Sequence, residues 1–543
     1  MDPRNYESTK FEVSEPPQKV VAHATLAASA EVASFGSILF PPGLERQPDH
    51  ANEPDCFIDL NLDQVIAAVV AKRDEKVLRP IFYSSYRNEE IVRYRQAVFA
   101  DLERSDVFAL FPAFCETMRS VRASLGYAEQ ASCRSHQHTV FLRAVGLYFH
   151  GVTSLLHDLQ SVAPQSSGLR NLLSYLTAYS DSTAFRQLAS ETAELQELLS
   201  HLSYGMLFRG DHVTVRKYAS EPDYTVTVLE RFAKFRESKA TATAPRKSTD
   251  GFSLNHVEQA ILEFVSRLFP AEFRRLDEFA VCHGEFIDKT IARFDHEIEF
   301  YVAYLDFIDP LKRTGLSFCY PEISVSSKTT LVKNSFDLAL AAKLVPEKGA
   351  VVCNDFHLFG HERLLVVTGP NQGGKTTFAR MFGQLHFLAS LGCPVPGKAV
   401  RLFLPDRIFT HFEKEEDITN LRGKLEDELV RLHVSCEIMT SHSVIVLNEV
   451  FNSTSLGDQI FLSTRVLERI LATDAIGVCV TFIDALSTLS GKTVSMVSTV
   501  DPENLARRTF EVIRKPADGL AYALSLAQKH GVTYEQLRRR VRP

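Results

Sequence analysis

From Asn88 to Glu103 (NEEIVRYRQAVFADLE) apolar residues return every three or four positions, at Ile91, Tyr94, Val98 and Leu102. That spacing places one apolar stripe along a helix and predicts a helix packed by that face. Helical periodicity dominates from Cys56 to about Phe307. It is nearly continuous from Leu254 to Ile308, with Val257, Ile261, Phe264, Val265 and Leu268 on one face. Pro270 interrupts that run, which predicts a long arm-like helix, kinked or broken there. Between these helices, Ser203 to Tyr218 (SYGMLFRGDHVTVRKY) holds two β-rich runs around Gly210-Asp211. That arrangement predicts a hairpin. Tyr224 to Val228 (YTVTV) is a further strand candidate.

After about Ile323 the period changes, and short apolar runs alternate with helical ones. The strand candidates are Leu364–Thr368, Arg407–Phe412, Val444–Leu447, Val478–Ile483, Val494–Ser498 and Phe510–Ile513. Such alternation predicts an α/β region with a largely parallel sheet. The chain therefore reads as multidomain. Residues 1–50, rich in Pro and Ser with little periodicity, read as a flexible tail. Residues 51–322 read as mainly α-helical, with the hairpin and a basic insertion at about 203–250. Residues 323–543 form the α/β region.

Composition narrows the class without changing this picture. At 543 residues several domains are expected, and 45% hydrophobic with 23% charged residues suits a soluble globular chain. No apolar run reaches the ~18 residues of a membrane span, and the N-terminus has no signal-peptide pattern. The nine cysteines include no CxxC pair, which favours reduced thiols, a cytoplasmic location and no zinc site. The formal net charge is -7, so contact with nucleic acid requires a local basic patch.

One stretch carries chemistry. Gly369, Pro370, Asn371, Gln372, Gly373, Gly374, Lys375 and Thr376 fit G-x-x-x-x-G-K-[ST], with Thr377 following. An apolar strand precedes them and a helical pattern, FARMFGQLHFLASL, follows, which is the context a phosphate loop needs. Glycines let backbone N–H groups turn in toward phosphate oxygens, and the helix N-terminus faces the same anion. Lys375 is placed to reach the β- and γ-phosphates of ATP, and Thr376 to offer its hydroxyl to Mg²⁺. A second apolar strand ends in an acid at Ser443 to Glu449 (SVIVLNE). Glu449 is the candidate catalytic carboxylate, orienting an attacking water beside Lys375. Asn448 stands where an aspartate usually helps hold Mg²⁺, and a neutral amide predicts weaker metal affinity or slower turnover.

Together these stretches resemble the MutS family of DNA mismatch-repair ATPases. TGPNQGGKTT is similar to its phosphate loop, PDRIFT (Pro405–Thr410) to the strand after the first helix, and LNEVFNSTSLGD (Leu447–Asp458) to its acidic motif. PADGLAYALSLAQKHGV (Pro516–Val532) is similar to its final helix, and the likeness extends upstream to about Arg79. The resemblance implies a helical core and lever region followed by an ABC-type P-loop ATPase domain that uses ATP and Mg²⁺. It also implies a homodimer through that domain, each nucleotide lying between two subunits. Gly423 and Lys424, at the start of a helix, and Thr454 and Ser455, after the acidic motif, match the elements that reach into the partner's site. Phe482 stands where the family usually has histidine, leaving Asp484 as the candidate substitute. The residues ahead of the helical core leave no room for the family's mismatch-sensing and connector domains.

The expected activity is therefore that of an ATP-dependent DNA-binding ATPase of repair or recombination, acting on structured DNA rather than sensing mismatches. The family places its DNA-gripping tip where this chain carries the hairpin and the basic passage. Arg209, Arg216, Lys217, Lys234, Arg236, Arg246 and Lys247 are the candidate phosphate contacts. The alternative is a nucleotide-switched module that binds a protein partner, with weak or no hydrolysis. No membrane role is expected on either reading.

Overall fold

The computed structural model describes residues 35–44, 52–209, 212–219, 254–413, 423–501, 508–517 and 533–540. Among the described residues, helices make up most of the region from Cys56 to Arg313, and a mixed α/β region follows. The helix Glu89–Leu102 begins where Asn88 caps it, its side chain accepting from the N–H groups of Glu90 at 2.8 Å and Ile91 at 3.3 Å. The stripe of Ile91, Tyr94, Val98 and Leu102 is buried.

The long run after Leu254 is broken twice. His256–Leu268 stops at Phe269, and Pro270 opens Pro270–Cys282 at a position where proline is tolerated because its missing N–H would be unpaired anyway. A third helix, Lys289–Arg313, starts at the Asp288 cap. In the first of these, Val265 is buried while Val257 and Phe264 are exposed, so the expected single face is only partly covered. Strands β1 (Tyr204–Arg209) and β2 (His212–Lys217) pair antiparallel with Arg209 opposite His212, and the expected turn at Gly210-Asp211 lies outside the described residues. The candidate strand Tyr224–Val228 lies outside the described residues.

The remaining strands are β3 (Phe318–Cys319), β4 (Glu322–Ser324), β5 (Thr330–Ser335), β6 (Asn354–Leu358), β7 (Leu364–Thr368), β8 (Val395–Pro396) and β9 (Ala399–Phe403). They continue with β10 (Ile408–His411), β11 (Val444–Asn448), β12 (Ile476–Val480), β13 (Thr493–Val500) and β14 (Arg508–Arg514). The main sheet runs β10-β11-β12-β7-β13-β14. Its first five strands are parallel and β14 is antiparallel at one edge. At the N-terminal ends of the parallel strands Asp474 gathers Lys328, Arg363 and Lys492 at 2.7, 2.9 and 3.0 Å. These three cations hold its carboxyl well below the usual carboxylate range.

Strand β12 lies two to three residues earlier than the sequence predicts. The Thr481 hydroxyl accepts from the Ile483 N–H at 3.1 Å, which turns the chain out of the sheet directly after Val480.

The tail expectation also fails at 35–44. Phe35, Ile38, Leu39 and Phe40 are buried in the main core. The Glu297 carboxylate accepts from the Ser37 hydroxyl at 2.8 Å and the Ile38 N–H at 2.9 Å. Burial pushes the Glu297 carboxyl up to about 6. Arg95 is fully buried and donates to Leu39 O at 3.0 Å and Leu391 O at 3.2 Å. Its guanidinium also lies over the rings of Phe40, Tyr86 and Phe300. This one side chain ties the 35–44 strap and the helical region to the end of the helix Lys375–Ser390, and all three share one apolar core.

One helix, Arg134–Val162, is long and apolar enough to cross a membrane by length and composition, although no uninterrupted apolar run in the sequence suggested a span. Scattered polar positions such as His136 and Arg143 break its apolar runs. Its apolar positions Val145, Tyr148, Val152, Leu155 and Leu159 are buried, as in a core helix.

Candidate functional site at the ends of β7 and β11

The loop 369–374 leaves the fully buried β7 and enters the helix Lys375–Ser390. Two glycines there answer to geometry. Gly374 has φ +91, a left-handed value that other residues rarely adopt. A Cβ on Gly373 would lie 2.3 Å from the Ser498 hydroxyl, which itself donates to Gly373 O at 2.5 Å. The loop is held from outside as well, since Arg508 Nε donates to Asn371 O at 3.2 Å.

Lys375 is 4% exposed. Its ammonium donates to the carbonyls of Gly369 and Pro370, both at 3.1 Å. Glu449 Oε1 lies 4.0 Å away, and the Phe482 ring centroid lies 4.1 Å from Nζ. Burial lowers the lysine to about 8, with nearby Arg508 acting in the same direction and Glu449 opposing them. Glu449 directly follows β11, with φ 54 and its N–H on Val480 O at 2.9 Å. A non-glycine residue in the left-handed region is strained by about 1–3 kcal/mol and persists only where its surroundings fix it. Here the neighbouring strand fixes it.

The Thr376 hydroxyl donates to Asn448 Oδ1 at 2.9 Å. This hydroxyl and amide pair is an all-oxygen donor set at the foot of the loop. Oxygen donors suit Mg²⁺, but the Thr–Asn pair brings no charge of its own. The donor set therefore fits a magnesium ion whose charge is balanced mainly by phosphate.

The structure brings Lys375, Thr376, Asn448, Glu449 and Phe482 together. The loop residues 369–374 and Thr377 adjoin them in the chain, whereas the described candidates for a partner's site and for DNA lie elsewhere. Gly423 caps the helix Lys424–Ile438 with φ -64, and a Cβ there would meet nothing within 4 Å. Steric crowding therefore does not require glycine at that point. Lys424 pairs with Glu413. Thr454 and Ser455 turn their hydroxyls to Asp458 at 3.4 and 2.7 Å, and Ser455 caps the helix Leu456–Thr473. In this chain those hydroxyls are used within their own turn. Asp484 opens the 3-10 turn Asp484–Thr488, and among the described residues no contact joins it to Lys375. Arg216 and Lys217 are exposed on β2, with the Lys217 ammonium 5.2 Å from the Phe269 ring centroid. Arg209 closes β1. Lys234, Arg236, Arg246 and Lys247 lie outside the described residues, as does most of Pro516–Val532.

Sequence reasoning missed Ser498 and Arg508. Both sit on strands next to the loop only because β13 pairs with β7 and β14 pairs with β13. The strand order would have exposed them, and no local motif carries it.

Residues 365–532 match the family model of MutS domain V. A protein of Clostridium kluyveri named DNA mismatch repair protein MutS is 25% identical over 296 residues, covering 53% of this chain and 33% of that protein. Its namesake in Ruminiclostridium cellulolyticum is 26% identical over 289 residues, covering 51% of this chain and 32% of the relative. Another, in Clostridium botulinum, is 25% identical over 218 residues. The chain thus spans about a third of the length of the first two relatives.

Proposed function

We propose that this chain, which belongs to the MutS family by its domain V, is a Mg²⁺-dependent ATPase that dimerises through its α/β region and grips structured DNA with its helical arm. The observation that carries this reading is the gathering of Lys375, Thr376, Asn448 and Glu449 at the ends of the parallel strands β7 and β11. Lys375 gives up its two carbonyl contacts for the β- and γ-phosphates. The loop amides and the helix N-terminus receive the remaining charge. Thr376 and Asn448 would hold Mg²⁺, which when bound screens the phosphate charge and polarises the phosphoryl oxygens. Glu449 accepts the proton of the attacking water. Gly423, Lys424, Thr454 and Ser455 complete the site of a second copy. The helix that starts at Lys375 ends under Arg95, so a change at the loop has a rigid connection to the helical region.

The relatives' names concern DNA mismatch repair. Arg216 and Lys217, with Arg209, Lys234, Arg236, Arg246 and Lys247, supply cations suited to phosphates, so the target is read as DNA recognised by shape and backbone. A titration against duplex, mispaired and branched DNA, with and without ATP at two salt concentrations, tests this. We expect ATP-dependent binding that prefers the branched form and weakens steeply with salt. No binding at low salt, or indifference to salt, would overturn the DNA reading. The neutral Asn448 and the ring over Lys375 favour a second reading, a nucleotide-switched protein-interaction module with slow turnover. That reading predicts an ATP-dependent dimer that ignores all three DNAs.

The lysine gives a pH test. Its ammonium titrates near 8 in the nucleotide-free fold, below its value in an unfolded chain. The unfolded state therefore binds more protons from about pH 8 upward, and the nucleotide-free fold gains stability as pH rises through that range. A triphosphate needs the charged form and pulls the value back up. ATP binding should then take up about one proton at pH 9 and almost none at pH 7, with affinity falling about tenfold per pH unit well above 8. Calorimetry in two buffers of different ionisation heat measures the uptake. Equal, near-zero uptake at both pH values would remove Lys375 from the phosphate contact.

A further inference from the structure

Phe482 stands out because nothing in the packing of the fold requires it. Thr481 and Ile483 on either side are buried and fix the turn after β12, whereas Phe482 between them is 45% exposed. Its ring is not filling the core. It lies on the Lys375 ammonium, at 4.1 Å from centroid to Nζ. The lysine is thus held on three sides, by two loop carbonyls, by the Glu449 carboxylate and by an aromatic face.

Resting on the nucleotide reading above, we propose that Phe482 is a specificity-determining residue that latches Lys375 and opposes the terminal phosphate of a nucleoside triphosphate. The argument is geometric. The inner phosphates are received by loop amides and by the helix N-terminus. The lysine serves the outer phosphates, and the ring lies on the lysine ammonium. An aromatic ring offers no hydrogen bond to a phosphate oxygen, and its negative face repels one. A γ-phosphate must therefore displace the ring to take the ammonium, whereas a diphosphate reaches it less fully and pays less of that cost. The latch narrows the preference for triphosphate over diphosphate and keeps the empty site closed on itself. It is a positioning role, exercised through Lys375.

The test compares the full chain with Phe482→Leu, which keeps apolar bulk without a π face, and Phe482→Tyr, which keeps the face. A cation–π contact corresponds to roughly two- to thirtyfold in an equilibrium constant. Titration with ATP and with ADP should show Phe482→Leu binding ATP about fivefold more tightly and ADP less than about twofold more tightly. Phe482→Tyr should match the parent chain. An unchanged ATP-to-ADP ratio in Phe482→Leu, or weaker ATP binding, overturns the proposal. A readout without nucleotide separates the latch from the nucleotide reading. In the free protein, acylation of Lys375 by an amine reagent, followed by mass spectrometry, should be several-fold faster in Phe482→Ala. Equal rates would show that the ring does not guard the lysine. Faster acylation with no nucleotide binding in any variant would leave the ring–lysine contact standing but remove both the nucleotide reading and the discrimination.

Discussion

A Lys375→Ala chain should bind ATP at least a hundredfold more weakly than the parent, while its fold survives. The size follows from what the ammonium does. In the free protein it makes two charge-assisted bonds to carbonyls of its own loop. On the proposed reading, nucleotide would trade them for bonds to phosphate oxygens that carry full charge. Two such bonds at about 1.5–3 kcal/mol each amount to two orders of magnitude or more. Arg508, the described cation that acts on the lysine, is itself engaged with the Asn371 carbonyl. The fold survives because the lysine is buried at a cost. Burial drags its titration down to about 8, so removing the ammonium relieves desolvation as well as losing contacts. Thermal unfolding with and without MgATP reads both effects. The two chains should melt within a few degrees of each other without nucleotide. Only the parent should be raised by MgATP, by about 2.7 kcal/mol of stabilisation at a hundred times its dissociation constant. Ordinary ATP binding by Lys375→Ala would show that the loop was assigned wrongly.

What could be read from the sequence follows from how far apart the interacting residues stand. Strand, loop and helix at 364–390 are contiguous, so a local motif specified all three, and Leu364–Thr368 appears as expected. Glu449 was legible because an apolar run ending in an acid is also local. The strap at 35–44 was not. Its burial depends on Glu297 and Arg95, which lie far along the chain, and ten residues hold no period to detect. The arm was read as a single kinked or broken helix. The second break, at His283–Asp288, has no proline to announce it; there Asp288 instead caps a new helix. Phe482 was visible as an odd residue in a polar position, but its place on Lys375 needed β12 to lie beside β7. Of the elements expected to serve a partner subunit, Ser455 caps its own helix and Lys424 pairs with Glu413, whereas the helix start at Gly423 has no side-chain cap.

Glu449→Gln should keep ATP binding and lose turnover, and the loss should be at least a hundredfold. Glutamine has the same shape, so it keeps the left-handed turn after β11 and the bond from its N–H to Val480 O. It keeps an acceptor oxygen about as far from Lys375 as the carboxylate now lies. What it lacks is a site that takes a proton from water, a function typically worth 10²–10⁴ in rate. Two smaller effects on binding oppose each other. Without the carboxylate the lysine is a weaker cation, since Glu449 now supports its charge, yet the incoming phosphates no longer meet a neighbouring anion. Affinity should therefore move by only a few-fold, whereas phosphate release stops. If the proposed dimer opens only on hydrolysis, it should then accumulate. Light scattering on the ATP-loaded variant should show about twice the monomer mass, and the parent chain should show this only transiently. If the variant releases phosphate at the parental rate, Glu449 is not the base. If the parent chain releases none at all while still forming the ATP dimer, the neutral Asn448 and the latched lysine have turned this site from an engine into a switch, and the protein-interaction reading takes precedence.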